Sequence, residues 1–121
     1  MNNKAGLIRS IVVLAVLATS AFATSVFKEV YSPYSGRNSD EGMVYGVPNG
    51  ANVEWAVGAW GYAGSATLLL GSGMNVSQTA GPGQYYYDVT TSTGGDMYYY
   101  LSAYAAYPGY DSAYAMFYVG W

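Results

Sequence analysis

Residues 83–119 constrain this chain more than any other stretch. They contain three short runs: Gly-Gln-Tyr-Tyr-Tyr-Asp-Val, Met-Tyr-Tyr-Tyr-Leu-Ser-Ala-Tyr and Ala-Tyr-Ala-Met-Phe-Tyr-Val. Most of the fifteen tyrosines lie here. Turn-forming residues at 92–96 and 108–112 separate the runs. Rings and β-branched side chains pack well on a pleated surface, so each run reads as a strand. Side chains alternate between the two faces of a strand, which sorts each run into two sets. Met97, Tyr99, Leu101 and Ala103 oppose Tyr98, Tyr100, Ser102 and Tyr104. Ala113, Ala115, Phe117 and Val119 oppose Tyr114, Met116 and Tyr118. The first set of each pair reads as core and the second as a wall of phenols. If these two runs pair as a hairpin, Tyr98, Tyr100, Tyr104, Tyr114, Met116 and Tyr118 form one cross-strand aromatic face. Such a face either covers the sheet or serves as an assembly or ligand surface.

The remaining chain follows the same pattern. Residues 26–31 alternate and read as a strand, whereas residues 32–42 carry every breaker signal of a loop. Residues 43–47 suggest a short strand, ended by the turn Pro48-Asn49-Gly50. Strands are expected at 52–60 and 65–70, with a shorter one at 74–78. After residue 24 no segment sustains the apolar spacing of a helix. The expected core is Val53, Trp55, Val57, Leu68, Leu70, Tyr99, Leu101, Phe117 and Val119. The fold expected is all-β, a small antiparallel β-sandwich.

The N-terminus carries Lys4 and Arg9, an unbroken apolar run at 11–17 and a small-x-small site at Ala21-Phe22-Ala23. This is the pattern of a secretory signal peptide cleaved after Ala23. An uncleaved anchor is the alternative, although the uncharged stretch falls short of the roughly 20 apolar residues that span a bilayer. A third alternative is that Lys4-Ala5-Gly6 before an apolar helix resembles the class III signal of type IV pilins. Such a signal implies cleavage after Gly6 and a retained helix. The expected organisation is a signal peptide at 1–23, an N-terminal arm and loop at 24–51, and a β-sandwich core at 52–121. Any membrane contact runs through the N-terminal segment before cleavage.

Composition excludes much chemistry. The chain has no Cys and no His, so it has no thiol nucleophile, no Ser–His pair and no ordinary zinc site. Paired carboxylates drive glycoside hydrolysis, and Glu54, Asp88, Asp96 and Asp111 are the candidates. Their spacing aims no two at one cleft, and Asp96 and Asp111 stand in turn sequences where Asp is favoured for its backbone bonding. No catalytic residue, cofactor or metal site is therefore assigned. The loop at 38–42 offers oxygen donors to calcium but lacks a full ligand spacing, so it reads as a solvated loop. Beyond Ala23 only Lys28 and Arg37 are cationic, against all seven acids, which argues against nucleic-acid binding. Asn75-Val76-Ser77 is a glycosylation sequon.

From residue 52 to 119 the order of features resembles bacterial immunoglobulin-like modules of the PKD and Big type. The features are Val53-Glu54-Trp55-Ala56-Val57, Ala66-Thr67-Leu68-Leu69-Leu70, the Gly83-led strand, Tyr99-Tyr100-Leu101-Ser102-Ala103 and the alternating run at 113–119. The resemblance implies an immunoglobulin-like sandwich acting as spacer, adhesive or scaffold, without catalysis. Charged residues make up only 9% of the chain, and tyrosine is a favoured interface residue. Two functions then fit. One is an extracellular structural subunit that self-assembles through tyrosine faces and an N-terminal strand added to a neighbour's sheet edge. The other is a glycan-binding or adhesion module, with Trp60 and Trp121 as stacking platforms.

Overall fold

The computed structural model of the protein describes residues 23–32, 36–107 and 109–121. Cleavage, anchoring and retention of the apolar N-terminal segment concern residues outside these. Eight strands follow in order: β1 (Ser25–Ser32), β2 (Gly36–Val47), β3 (Asn52–Trp60), β4 (Ser65–Gly71), β5 (Val76–Ala80), β6 (Gln84–Thr91), β7 (Gly95–Ala105) and β8 (Ser112–Gly120). They form two four-stranded antiparallel sheets, β1-β8-β3-β6 and β2-β7-β4-β5. The fold is an all-β sandwich.

Its strand order is that of a jelly roll, in which two Greek keys wind through both sheets. An immunoglobulin sandwich divides its strands differently, with the first, second, fifth and fourth strands on one sheet and the third, sixth and seventh on the other. Here only β4 and β5 are successive in the chain and adjacent in one sheet. Every other connection crosses between sheets. The tyrosine runs of β7 and β8 therefore do not form a hairpin. Their apolar faces meet across the core, with the Tyr99 and Phe117 ring centroids 5.1 Å apart.

The core lies between the sheets. Val53, Trp55, Val57, Leu68, Leu70, Tyr99, Leu101, Phe117 and Val119 are all buried there. Each fully buried Val, Leu or Phe contributes about 1.5–3 kcal/mol relative to exposure. Trp55 donates its indole N–H to Thr90 Oγ1 at 3.0 Å, so its one polar atom is satisfied.

The strand expected at 26–31 is β1, and residues 36–42, expected as loop, join the strand expected at 43–47 in one long β2. β1 pairs along its length with β8, and Val30 is buried in the core with Val26 packed against it. β2 pairs with β7 from Gly36↔Ala105 to Val44↔Met97, then shifts register before Val47. Gly, Asn, Ser and Asp are poor strand formers, but β2 is an edge strand and needs apolar residues only where it meets the core. The long β7 ladder overrides local preference. The 38–42 segment is thus strand, paired with residues 99–103, and not a calcium-type loop.

Candidate functional site

The aromatic face expected from one hairpin is split between two sheets. Tyr98, Tyr100 and Tyr104 lie on the outer face of the β2-β7-β4-β5 sheet and are half-buried. Arg37 places its guanidinium carbon 5.2 Å from the Tyr104 ring centroid and donates to Ser102 Oγ at 2.8 Å. Tyr98 donates to Glu41 Oε2 at 3.4 Å. Burial, then the Glu41 carboxylate, raises the Tyr98 phenol above its ordinary pKa.

Tyr114, Met116 and Tyr118 project from β8 on the other sheet, and all three are buried. β8 is a central strand flanked by β1 and β3. Tyr114 and Met116 cluster with Ala56 and Trp60, against Phe27 and Tyr31. The Tyr31 and Tyr114 rings lie 4.8 Å apart, and Tyr114 donates its hydroxyl to Glu29. Tyr114 and Met116 therefore belong to a second, smaller apolar cluster, and with Tyr118 also buried none of the three offers an accessible face.

Trp60, expected as a sugar platform, belongs to the same cluster. It is buried, and Tyr85 stacks on it with centroids 6.2 Å apart. Its indole N–H has no hydrogen-bond partner among the described residues. Trp121 lies at the opposite end of the sandwich, where it exchanges both backbone hydrogen bonds with Thr24. It lines a shallow cleft of about 280 Å³ together with Pro48, Asn52, Glu54 and Tyr118. Asn75 is exposed in the β4–β5 turn, with a positive φ of 58°.

Three exposed tyrosines that the strand pattern did not single out gather near Trp60. Tyr62 lies between β3 and β4, and Tyr107 and Tyr110 lie between β7 and β8. They are 72%, 52% and 67% exposed. Tyr62 meets Tyr107 edge-on at 6.1 Å and Tyr110 at 5.7 Å between centroids. Both loops are tied to the buried Asp111 carboxylate. Its Oδ1 accepts the N–H groups of Tyr62 at 2.6 Å and Ala63 at 3.3 Å. Its Oδ2 accepts those of Ala106 and Tyr107, each at 3.0 Å. Desolvation pushes the Asp111 carboxyl up, but the four N–H donors outweigh it and hold the group below the usual carboxylate range. Gly61 makes the clamp possible. It has φ +101°, and a Cβ there would stand 2.2 Å from both Asp111 Oδ1 and the Tyr110 carbonyl. The sequence signal was present in aromatics flanked by Gly or Pro within turns, next to an Asp.

The third tyrosine surface is β6, an edge strand. Tyr85, Tyr86, Tyr87 and Val89 are all exposed along it. Tyr87 donates to Glu54 Oε2 at 3.5 Å. Burial first, then the Glu54 charge, raises its phenol pKa.

The four candidate carboxylates are dispersed. Register puts Glu54 and Asp88 on opposite faces of one sheet, since Glu54 pairs with Val89 and Trp55 with Asp88. Asp96 accepts the Gly46 N–H at 3.0 Å, at the end of the sandwich remote from Asp111. Among the described residues no three carboxylates gather to hold a metal ion, and no helix is long and apolar enough to cross a membrane.

No protein-family model and no curated protein sequence matches the chain. Among solved structures it is similar to a carbohydrate-binding module, TmCBM61, in complex with β-1,4-galactotriose. That match has 8% identity and a TM-score of 0.44, covering 87% of this chain and 94% of that one. A carbohydrate-binding module, CBM36, in complex with calcium and xylotriose matches at 12% identity and a TM-score of 0.40, covering 78% and 97%. A Bacillus endospore appendage protein of disulfide-linked pili matches at 10% identity and a TM-score of 0.37, covering 80% and 88%.

Proposed function

We propose that this chain is a non-enzymatic, exported structural module that self-assembles into an extracellular filament or surface layer. The observation that carries the reading is β6, an eight-residue edge strand that exposes Tyr85, Tyr86, Tyr87 and Val89. Natural sheets shield such edges with charges, Pro, bulges or a covering element, because an open ladder invites another strand. The tyrosines add rigid apolar area with a hydrogen-bonding tip, which suits an interface. Export rests on the N-terminal signal pattern. The non-enzymatic reading draws on a chain without Cys or His and on the dispersal of the four candidate carboxylates.

The test is negative-stain microscopy and sedimentation of the exported protein, with N-terminal sequencing of the same sample. Ordered filaments or sheets starting at Thr24 support the reading. Filaments starting at Leu7 would assign the filament core to a retained apolar helix. Monodisperse particles at every concentration would sink it.

A second reading, glycan binding, is favoured by the loop tyrosines Tyr62, Tyr107 and Tyr110. Their rings are exposed and in mutual contact, and Asp111 holds the backbone of Tyr62 and Tyr107, which lowers the ordering entropy of stacking on a ligand. A glycan array of wild type and a Tyr62→Ala/Tyr107→Ala/Tyr110→Ala variant decides it. Binding lost in the variant supports the reading, and no binding by wild type removes it.

A further inference from the structure

The β1-β8-β3-β6 sheet has two edges, and they match one another. β1 and β6 are each eight residues long. All neighbours in the sheet are antiparallel, so across four strands β1 and β6 run in opposite directions. A second copy displaced sideways along the sheet, without turning over, brings its β1 beside β6 of the first in antiparallel orientation. The alternation of directions continues unbroken.

The register continues as well. Cross-strand rows run straight through the sheet: Val26–Val119–Val53–Thr90, Phe27–Tyr118–Glu54–Val89 and Lys28–Phe117–Trp55–Asp88. Extending these rows sets Thr90 beside the next copy's Val26, Val89 beside its Phe27 and Asp88 beside its Lys28. The same offset aligns Ser25–Ser32 with Gln84–Thr91 from end to end, with no overhang.

The hydrogen-bond phase agrees. Thr24 and Trp121 exchange both backbone bonds, at 2.8 and 2.9 Å. Antiparallel pairs alternate between bonded and non-bonded. Val26 and Lys28 thus turn their backbone groups to β8, while Ser25 and Phe27 turn theirs to the edge. On β6 the Ser92 N–H donates to the Ala51 carbonyl at 2.8 Å, which directs Asp88 and Thr90 to β3 and Val89 and Thr91 to the edge. In the extended register Phe27 meets Val89 and Ser25 meets Thr91, as pairs able to bond.

Chemistry points the same way. Lys28 is one of two cations beyond residue 23, and Asp88 ends the row that Lys28 begins. Asp88 Oδ1 accepts the Val89 N–H at 2.8 Å, which caps this part of the β6 edge. Pairing Asp88 with a neighbour's Lys28 releases that N–H for the neighbour's Phe27 carbonyl. The other sheet offers no comparable pair of edges. β2 carries Arg37, Asp40, Glu41 and a register shift, and β5 has five residues. Such charged, bulged or short edges resist strand addition.

We infer that copies of this chain join head to tail, β6 of one against β1 of the next, with Asp88–Lys28 pairs setting the register. The inference rests on the assembly reading above and names its partner and interface. Because the contact is heterologous and the operator is a displacement, the array stays open, and sheet twist winds it into a helix. β1 remains in its own sheet, so no strand is donated.

The test is charge exchange in the full exported protein. Lys28→Asp or Asp88→Lys alone places like charges at every junction and raises the critical concentration about tenfold or more. An equimolar mixture of the two variants again has one Lys and one Asp at every alternating junction, and it assembles as wild type does. Circular dichroism verifies that each variant is folded. Recovery on mixing, with neither variant assembling alone, supports the inference. Assembly of wild type and both single variants at the same concentration would overturn this interface and leave self-assembly standing. A wild type that stays monomeric at all concentrations would overturn both.

Discussion

Replacing Asp111 with Ala removes the carboxylate that accepts four backbone N–H groups, at 2.6, 3.3, 3.0 and 3.0 Å. A hydrogen bond to a charged group contributes about 1.5–3 kcal/mol. The simple sum overstates the loss, because Tyr62 and Tyr107 are exposed and water can reach their N–H groups once the loops relax. At about 1 kcal/mol per bond the substitution costs about 3–5 kcal/mol. For a domain of this size each 1 kcal/mol moves Tm by about 4–8 °C, so Asp111→Ala lowers Tm by at least about 12 °C. Asp111→Asn keeps one acceptor oxygen but turns an amide donor toward the other pair of N–H groups, and falls between. Thermal unfolding followed by circular dichroism measures both. A drop below about 4 °C for Asp111→Ala would refute the clamp. The pH dependence has a defined sign. The folded-state pKa is depressed, so the contribution is complete above the unfolded value of about 3.9 and disappears as pH falls through the folded one. Wild type therefore loses stability in acid faster than Asp111→Asn, and the two curves converge.

Phe117 is fully buried against Tyr99, so Phe117→Ala costs about 3–5 kcal/mol in urea unfolding. Deleting residues 24–32 strips β1 from β8 and removes Val30 from the core. The expected product shows a collapsed unfolding midpoint or aggregates, and a truncated chain with wild-type stability would contradict the sheet order. Tyr87 ionises above ordinary tyrosine because of burial and Glu54. The neutral phenol's contribution is present below about pH 10 and is lost as pH rises through the raised value. Glu54→Gln lowers the Tyr87 midpoint in a phenolate absorbance titration.

Much of the fold was legible along the chain. Asn52–Trp60 reads directly as a strand, because Val53, Trp55 and Val57 alternate with smaller or polar residues. The same alternation separates Tyr99 and Leu101 from Tyr98 and Tyr100, and those inward positions are core. β2 was obscured because an edge strand with one wet face tolerates Gly, Asn and Asp that elsewhere mark loops. Tyr62, Tyr107 and Tyr110 were obscured because they sit in turns, where no period distinguishes an exposed ring from a buried one.

The sequence by itself determined most of the strands, the first half of β2 excepted, which side of each faces the main core, and that no thiol or imidazole chemistry is present. Those are properties of local alternation and composition. Only the tertiary structure decided which strands are neighbours. It parted β7 from β8, buried Tyr114, Met116 and Tyr118 in the middle of a sheet, and drew onto Asp111 a loop 49 residues earlier in the chain. The physical reason is that alternation specifies the two faces of a strand but says nothing about its two edges. Edge pairing is settled by competition among all strands at once, and here that competition left β1 and β6 as the borders of one sheet.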